Sequence, residues 1–330
     1  MRKYEINTWG EIYRNLRNAA VKAPADADVI YRRHGFKVIR LPNLAWLDRI
    51  KIGKIIRRIY IHYLALIFRP SDEVHIQLTG SRLARRLVKL LGRRGCKLIL
   101  LVHDSPTLRY GKDPRAEAGL YNSASEIIVH TPAMADALRQ RGVTAPMRIL
   151  VLFDYLASAA RPYRDGNIGS VVFAGNLVKS GFITALIQNA ARWPVDLHLY
   201  GSACPPIPAG SRIRHEGTFN PSDISMIKGA WGLVWDGDAP DACNPYLIYN
   251  SPHKLSLYLA AEKPLIVWRR SALYDFVTSN RLGIAIDTLY DIPELLASIT
   301  EEAYNDYAGR VATVALQVRN GGFLGRVIGD

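Results

Sequence analysis

The stretch YNSPHKLSLYLAAEKPLIVW, residues 249–268, shows the architecture that the rest of the chain repeats. Ser251 has the character of a helix N-cap and Pro252 that of the first helical residue, and helical spacing follows. The apolar run PLIVW then predicts a buried strand. A helix that leads into a buried strand is the repeating unit of a parallel sheet with helices on both faces.

The same alternation runs through the whole chain and predicts an α/β protein with two sheets. Strand candidates in the first half are 37–41, 73–78, 97–102, 126–130 and 148–153. Helix candidates between them are roughly 11–33, 44–67, 81–94, 114–122 and 132–141. The second half restarts the pattern with strand candidates at 170–175, 196–201, 213–217, 231–235, 264–268 and 283–286. The polar, aperiodic segment 154–169 separates the halves, so the sequence predicts a domain boundary there.

The composition is that of a globular chain with an uneven charge distribution. The 330 residues are 49% hydrophobic and 22% charged, which excludes disorder, a collagen-like repeat and a disulfide-stapled mini-protein. Residues 1–150 carry 28 basic and 12 acidic side chains, a net charge of +16, whereas residues 151–330 carry −2. The first half is therefore expected to face an anionic partner, which is a membrane surface, a nucleic acid or a phosphorylated acceptor.

Neither the cysteines nor the N-terminus indicates an exported protein. Cys96, Cys204 and Cys243 have no CxxC or Cys/His spacing, so no disulfide framework and no zinc site is predicted. The N-terminus turns polar within a few residues, and no run approaches the ~20 apolar residues of a membrane-spanning helix. We expect a cytoplasmic protein, with peripheral attachment to the inner face of the cell membrane as an additional hypothesis.

The helix start within the opening stretch is a candidate phosphate site. His253 and Lys254 fall in its first turn, where free backbone N–H groups and the positive end of the helix dipole favour an anion. The helix also begins in a polar loop region of an α/β domain, and ligands gather at the carboxyl ends of strands in such domains. The alternative is a helix start with a solvated lysine.

A second loop of this kind lies in FAGNLVKSGF, residues 173–182. A strand ends in Gly175 and Asn176, and the chain then passes Lys179 at the entrance of the next helix. A structural glycine turn is the alternative. Two loops in one domain, each with a lysine at a helix entrance, favour a diphosphate ligand.

The segment WGLVWDGDAPDAC, residues 231–243, places Asp236 and Asp238 at a strand end. Paired carboxylates could hold a divalent metal through oxygen ligands. Asp-Gly is also a strong turn former, and the pair could orient a loop or bind hydroxyl groups. We favour ligand binding without a metal.

In the first half, LLVHDSPTLRYG, residues 100–111, places His103 and Asp104 at the carboxyl end of a strand that should be central. Either residue is well placed for general-base chemistry, and hydrogen-bonded anchoring of the loop is the alternative. The neighbouring strand-end loop, QLTGSR at 77–82, contains Thr79 and Gly80 and could line the same cleft.

The segment 43–68 predicts a basic amphipathic helix. One face carries Ile52, Ile55, Ile56, Ile59, Tyr63 and Leu66, and the basic side chains elsewhere are Lys51, Lys54, Arg57, Arg58 and His62. The helix could rest on anionic lipid headgroups. The alternative is a helix packed into the core with a solvated basic edge. No helix-turn-helix, KH or RNP pattern supports nucleic-acid binding.

Several of these stretches resemble a known family. FDYLASAA, HDSPTLRYG, VVFAGNLVKS, GLVWDGD and above all NSPHKLSLYLAAEKPLIVW followed by ALYDFVTSNRLGIAI are similar to bacterial β-1,6-galactofuranosyltransferases of O-antigen and capsule synthesis. More distantly they resemble the glucosyltransferases that extend GlcNAc on streptococcal adhesins. The resemblance implies a GT-B fold, with two Rossmann-like domains facing a cleft. It implies an acceptor-binding domain over 1–155, a nucleotide-sugar-binding domain over 156–315, and, by analogy with two-domain transferases, a C-terminal helix over 316–330 that returns to the first domain.

Residue by residue, the resemblance implies a site for a UDP-sugar. The donor-binding residues it indicates are Lys254, His253, Leu255, Ser251, Gly175, Asn176 and Lys179, beside Asp236 and Asp238. Many retaining GT-B transferases carry a pair of glutamates in this region, and here the corresponding residues are Tyr249 and Leu257, which favours inversion. Glu262 stands where such proteins often carry glycine.

The implied activity is transfer of a hexosyl unit, with galactofuranosyl preferred, to a sugar hydroxyl of a growing surface glycan. An additional hypothesis is that this acceptor glycan is lipid-linked. Asp104 is the expected general base and His103 the second candidate, with Thr79 and Gly80 on the acceptor side. No cofactor is required, a divalent metal is not favoured, and a homo-oligomer is left open. The alternatives are a UDP-glucose-dependent glucosyltransferase acting on a glycosylated protein, and a basic lipid- or nucleic-acid-binding module on an inactive transferase fold.

Overall fold

The computed structural model describes residues 1–8, 19–42, 44, 47, 52–78, 81–158 and 166–329. The chain divides into two compact units. The first unit is Met1–Val151 together with Phe323–Asp330, and the second is Leu152–Gly322. Each unit is built around its own parallel sheet, as the alternating pattern of the sequence predicts.

Within its described residues, the first unit contains a six-stranded parallel sheet in the order β2-β1-β3-β4-β5-β6. Its strands are β1 Lys3–Asn7, β2 Lys37–Arg40, β3 Glu73–Leu78, β4 Lys97–Val102, β5 Glu126–Val129 and β6 Met147–Ile149. Its helices are α1 Ala19–Arg33, α2 Ile52–Ile67, α3 Arg82–Arg93, α4 Pro106–Tyr110, α5 Pro114–Tyr121 and α6 Pro132–Gln140. The strand order reverses between β1 and β3, so the carboxyl ends of these two strands form the switch point at which open α/β sheets bind ligands.

The structure differs from the sequence prediction at the first and the last strand of this sheet, β1 and β6. Strand β1 is absent from the strand candidates, and its alternating sequence KYEIN would place Glu5 and Asn7 on a solvated face, yet both side chains are fully buried. The predicted strand over 148–153 is too long, since β6 ends at Ile149 and Val151 takes a left-handed φ of 69° that breaks the extended chain. Part of the predicted helix over 11–33 and residues 43, 45, 46 and 48–51 lie outside the described residues.

The second unit contains, in its described residues, a six-stranded parallel sheet in the order β12-β11-β10-β7-β8-β9. Its strands are β7 Val171–Ala174, β8 Leu197–Tyr200, β9 Ile213–Gly217, β10 Trp231–Val234, β11 Leu265–Trp268 and β12 Gly283–Ile286. Its helices are α7 Gly181–Gln188, α8 His253–Ala260, α9 Tyr274–Ser279, α10 Ile292–Ser298 and α11 Glu301–Asn320, and the last helix of the chain, α12 Gly322–Gly329, belongs from Phe323 onward to the first unit. This is the strand order of dinucleotide-binding sheets, and its switch point lies between β7 and β10.

Helix α8 is held against this switch point by unusually close packing. A Cβ atom at Gly232 of β10 would lie 2.3 Å from Cγ of Tyr258, so glycine allows the helix to rest directly on the strand. The Tyr258 hydroxyl accepts a hydrogen bond of 2.8 Å from the backbone N–H of Ala174, at the end of β7. These contacts of Tyr258 hold α8 against β10 and against the carboxyl end of β7.

The contacts at the carboxyl end of α8 explain how Glu262 occupies a position at which similar proteins often carry glycine. Glu262 has a left-handed φ of 55°, a conformation that glycine adopts without strain. Its carboxylate accepts a hydrogen bond of 2.6 Å from Arg319, whose Nε donates to the Ala260 carbonyl at 2.7 Å. This partly buried ion pair ties α8 to α11 and offsets the backbone strain.

The C-terminal stretch is interrupted and is not one helix over 316–330. Helix α11 ends at Asn320, because Gly321 takes a left-handed φ of 86°, and α12 follows. The guanidinium of Arg148 donates to the carbonyl of Val327 inside the first unit. None of the helices in the described parts of the chain is both long and apolar enough to cross a bilayer.

Candidate functional site

The amino group of Lys254 lies at the switch point of the second unit. It donates a hydrogen bond of 2.8 Å to the carbonyl oxygen of Trp235, the residue after β10. It also lies 4.3 Å from the centre of the Phe173 ring on β7, in cation–π contact. A Cβ atom at Gly175 would be 3.9 Å from Nζ, so the glycine after β7 lies beside the amine. The structure thus brings together Lys254 and Gly175, two of the residues that the sequence singles out.

Burial lowers the pKa of Lys254 to about 8, and the nearby carboxylate of Asp236 opposes that shift. A lysine in this state has lost most of its hydration and has a carbonyl oxygen and an aromatic face as partners. An anionic ligand beside the amine would raise its pKa again and keep the ammonium group charged at higher pH. The arrangement is suited to a diphosphate.

The loop after β7 is held by its own hydrogen bonds. The N–H of Gly175 donates to the Tyr200 carbonyl at 2.9 Å, and the side-chain oxygen of Asn176 accepts from the N–H of Lys179 at 3.1 Å. The backbone carbonyl of Asn176 accepts from the Ser180 hydroxyl at 2.9 Å. Asn176 therefore shapes the turn, while the Lys179 side chain is exposed to solvent. Their roles in donor binding stay predictions.

The aspartate pair divides between two places. Asp236 interacts electrostatically with Lys254. Asp238 packs against the first residue of α7, because a Cβ atom at Gly181 would lie 3.0 Å from its Oδ1 atom. A carboxylate there is favourable to the helix dipole and occupies the helix entrance at which the sequence predicts a phosphate. In the described parts of the chain, no group of three or more His, Cys, Asp or Glu side chains could hold a metal ion.

The first turn of α8 begins one residue later than the sequence predicts. Pro252 is the N-cap, with extended backbone angles, and the buried Ser251 precedes it. The His253 ring stacks on Tyr155 with centroids 5.0 Å apart. The N–H of Leu255 donates to the Pro252 carbonyl at 2.9 Å, inside the turn. Within this turn it is the Lys254 side chain that reaches the switch point.

In the first unit, His103 joins a buried polar network at the switch point between β1 and β3. Its Nε2 atom lies 2.9 Å from the side-chain oxygen of Gln77, at the end of β3. The side-chain nitrogen of Gln77 donates to Glu5 at 3.0 Å and to Asp28 at 2.8 Å. Because the amide oxygen can only accept, Nε2 of His103 is the donor in this hydrogen bond.

The carboxylates behind Gln77 stabilise this orientation. Burial, and then the charge of Asp28, raises the pKa of Glu5 well above its ordinary range. Burial also raises the pKa of Asp28, which accepts hydrogen bonds from Asn7 and Arg40. Two carboxyl groups that accept from one amide nitrogen fix which way the amide points. The sequence does not single out Gln77, Glu5 or Asp28 as site residues; the signal for Glu5 and Gln77 is a polar residue inside a strand, and Asp28 lies in α1.

Asp104 has different surroundings. Its two carboxylate oxygens accept hydrogen bonds of 2.9 and 2.7 Å from Nη1 of Arg109, and the side chain is 39% exposed. It borders a cavity of about 280 Å³ within the first unit, whose lining includes Arg85, Lys112 and Glu117. His103 and Asp104 are therefore two separately held candidates, and Thr79 and Gly80 lie outside the described residues.

Comparison with known proteins identifies relatives of both halves. Residues 7–152 match the model of the "Glucosyltransferase 3-like, N-terminal domain" and residues 171–330 that of the "Glucosyltransferase 3-like, C-terminal domain". The chain is 27% identical over 241 residues to the β-1,6-galactofuranosyltransferase WbbI of Escherichia coli (strain K12), covering 70% of each protein. It is 26% identical over 245 residues to Glucosyltransferase 3 of Streptococcus gordonii, covering 71% of this chain and 70% of that protein.

Solved structures share the fold at low sequence identity. Sucrose-phosphate synthase from Thermosynechococcus elongatus superposes with a TM-score of 0.63 at 15% identity, covering 99% of both chains. AviGT4, a glycosyltransferase involved in avilamycin A biosynthesis, gives 0.50 at 12% identity and covers 100% of this chain and 99% of its own. These likenesses confirm the predicted α/β fold of the GT-B class.

The two domain models together account for most of the chain, and the relatives are those that the sequence motifs indicate. A sugar donor and a sugar acceptor are the substrates that such relatives imply. The chain belongs to the glucosyltransferase 3-like family, and it is a glycosyltransferase of the GT-B fold.

Proposed function

We propose that this glycosyltransferase transfers a galactofuranosyl unit from a UDP-sugar to a sugar hydroxyl of a growing surface glycan, with inversion at the anomeric carbon. The observation that carries the proposal is the desolvated amino group of Lys254 at the switch point of the second unit. The choice of sugar follows the similarity to WbbI. We propose that the donor binds without a metal ion and that the acceptor is lipid-linked.

Inverting transfer places specific demands on the site. The acceptor hydroxyl loses its proton as it attacks C1 of the donor sugar, and negative charge develops on the departing UDP. The ammonium group of Lys254 and the first turn of α8 supply positive potential where that charge appears. Loss of one such oriented group commonly costs on the order of 10²–10³ in rate.

The first test replaces the lysine. Lys254→Ala should lower the transfer rate by roughly 10²–10³ while the circular dichroism spectrum and the melting temperature show a folded protein. Lys254→Arg, which keeps a positive charge, is the matched control and should retain part of the rate. Near-normal turnover in Lys254→Ala would refute the assignment.

A second experiment identifies the general base among the residues of the first unit. We propose Asp104, with His103 as the competing candidate. The pH–rate profiles of Asp104→Asn and His103→Ala separate them, because only loss of the base removes the acidic limb of the profile. If both variants keep that limb, neither residue is the base.

The similarity to Glucosyltransferase 3 of Streptococcus gordonii favours a second candidate function, in which UDP-glucose is the donor and a glycosylated protein the acceptor. Release of UDP from UDP-galactofuranose, UDP-glucose and UDP-galactose, each with simple glycoside acceptors, discriminates between the two. The same screen with and without EDTA tests the metal-free proposal, for which equal rates are expected.

A further inference from the structure

Helix α2 has two apolar faces, and only one of them packs on the first unit. Ile61, Leu64 and Ala65 are buried against the unit, together with Arg57, which the sequence predicts on the basic surface of the helix. The opposite face carries exposed apolar side chains, which we call the apolar stripe: Ile52, Ile55, Ile56, Ile59, Tyr63, Leu66 and Ile67. At 100° per residue, these positions fall within roughly 60° of a line that points away from the buried face.

This distribution excludes the expectation that the isoleucine face of the helix packs into the core. If the amphipathic face were a core face, its isoleucines would be buried, but Ile55 and Ile59 are 58% and 65% exposed and Leu66 is 69% exposed. Single exposed apolar side chains are ordinary, whereas a continuous stripe marks an interaction site. Other exposed large apolar residues in the described parts of the chain, such as Tyr110, Tyr290 and Leu316, are scattered.

A basic stripe lies on the neighbouring helix. Arg82, Arg86, Lys89 and Arg93 of α3 recur at helical spacing on one face and are at least partly exposed. Nη2 of Arg86 lies 3.3 Å from Nε2 of His62, which flanks the apolar stripe on α2. The two stripes are thus side by side, and the sequences of α2 and α3 contain no acidic residue.

The charges select the partner. A second copy of the chain that docked by the same surface would bring two basic stripes together without acidic residues between them. An anionic lipid surface fits both stripes. Its acyl chains accommodate the isoleucine and leucine side chains of the apolar stripe, and its headgroups pair with the arginine and lysine side chains of the basic stripe.

We propose that α2 lies in the interface of an anionic lipid bilayer, with the apolar stripe at the boundary of the acyl chains and the basic stripe of α3 on the headgroups. The inference concerns attachment, so it goes beyond the proposed transfer reaction and holds for any donor sugar. A surface of this kind would keep the enzyme at the membrane where a lipid-linked acceptor resides.

The test is flotation of the full chain with two kinds of vesicle. Vesicles of phosphatidylcholine with about 30 mol% phosphatidylglycerol should carry the protein, with binding that weakens as salt is raised, while pure phosphatidylcholine vesicles should carry little. No flotation with the anionic vesicles, or equal flotation with both, overturns the proposal.

Two double variants test the two stripes separately. Arg82→Ala with Lys89→Ala should lower the partition coefficient roughly 30-fold, because each basic side chain near an anionic surface contributes about fivefold. Ile55→Ser with Ile59→Ser should lower it about tenfold or more. The matched control, Tyr290→Ser with Leu316→Ser, changes two exposed apolar residues of the second unit and should bind like the unmodified protein.

The remaining outcomes are also decisive. If both stripe variants float as well as the control, the lipid surface is wrong. If sedimentation shows a dimer that Ile55→Ser with Ile59→Ser dissociates, and vesicles are not bound, the apolar stripe is a subunit interface and the proposal fails. Transfer to a water-soluble acceptor should be unchanged in the stripe variants, so failure here is distinguishable from failure of the proposed function.

Discussion

The lowered pKa of Lys254 makes the affinity for UDP depend on pH. In the free protein the ammonium group loses its proton near pH 8, because burial disfavours the charge. A bound diphosphate places negative charge beside the amine and raises its pKa again. Binding above pH 8 therefore takes up a proton, and the affinity must fall as the pH rises.

The magnitude follows from the two pKa values. If the diphosphate restores the ordinary lysine pKa of about 10.4, the affinity falls about tenfold between pH 7 and pH 9, which is about 1.4 kcal/mol. The phosphates of UDP do not contribute, since a terminal phosphate titrates near pH 6, below this range. At pH 8.5 the same values give uptake of roughly 0.7 proton per UDP bound.

Isothermal titration calorimetry at pH 8.5 in two buffers of different ionisation enthalpy measures this uptake directly. Lys254→Met should remove both the proton uptake and the pH dependence, and Lys254→Arg should bind UDP with an affinity that is flat from pH 7 to pH 9, because guanidinium stays charged. Lys179→Met, which changes an exposed lysine, should keep the pH dependence of the unmodified protein. A flat affinity in the unmodified protein would refute the reasoning.

Two further predictions concern stability. Burial lowers the pKa of His130 to about 4, so the unfolded chain binds more protons than the folded one between pH 6.5 and 4. Lowering the pH from 6.5 to 4 should therefore reduce the free energy of unfolding by about 3 kcal/mol, a loss that His130→Gln should not show. Urea unfolding at both pH values measures this loss, and equal losses in the two proteins would contradict the prediction. Gly232→Ala should destabilise the second unit by about 2 kcal/mol or more, because the added Cβ would lie 2.3 Å from Tyr258. The control Gly309→Ala, on an open helix face, should instead stabilise the protein by about 0.5–1 kcal/mol. Thermal melts in which both substitutions shift the melting temperature alike would argue against the packing at Gly232.

Strands that are marked by an apolar or β-rich run between turn residues are the part of the fold that could be predicted. Strands β3, β4, β9 and β12 occupy the predicted ranges, since apolar or β-rich runs bounded by turns identify them. Strand β1 could not be predicted, because the hydrogen bonds that allow Glu5 and Asn7 to be buried come from partners far along the chain. A local pattern contains no information about a hydrogen bond to Gln77.

The site shows the same division. Lys254 and Gly175 could be named from a helix start and a strand end, because these local features are typical of phosphate-binding loops. The ring of Phe173 and the carbonyl of Trp235, which surround the amine, could not be named, since they meet it only when β7 and β10 lie side by side. The desolvation that lowers the pKa of the lysine follows from that meeting.

The amino-acid sequence by itself determined the α/β alternation, the family and the excess of basic residues in the first half, because each is a property of local order or of composition. Only the tertiary structure decided which charged groups are desolvated and which apolar face is left outside. Helical spacing shows that Ile55 and Ile59 share a face, but whether another element covers that face depends on residues distant in the chain, and here the buried side of α2 is the one that carries Ile61.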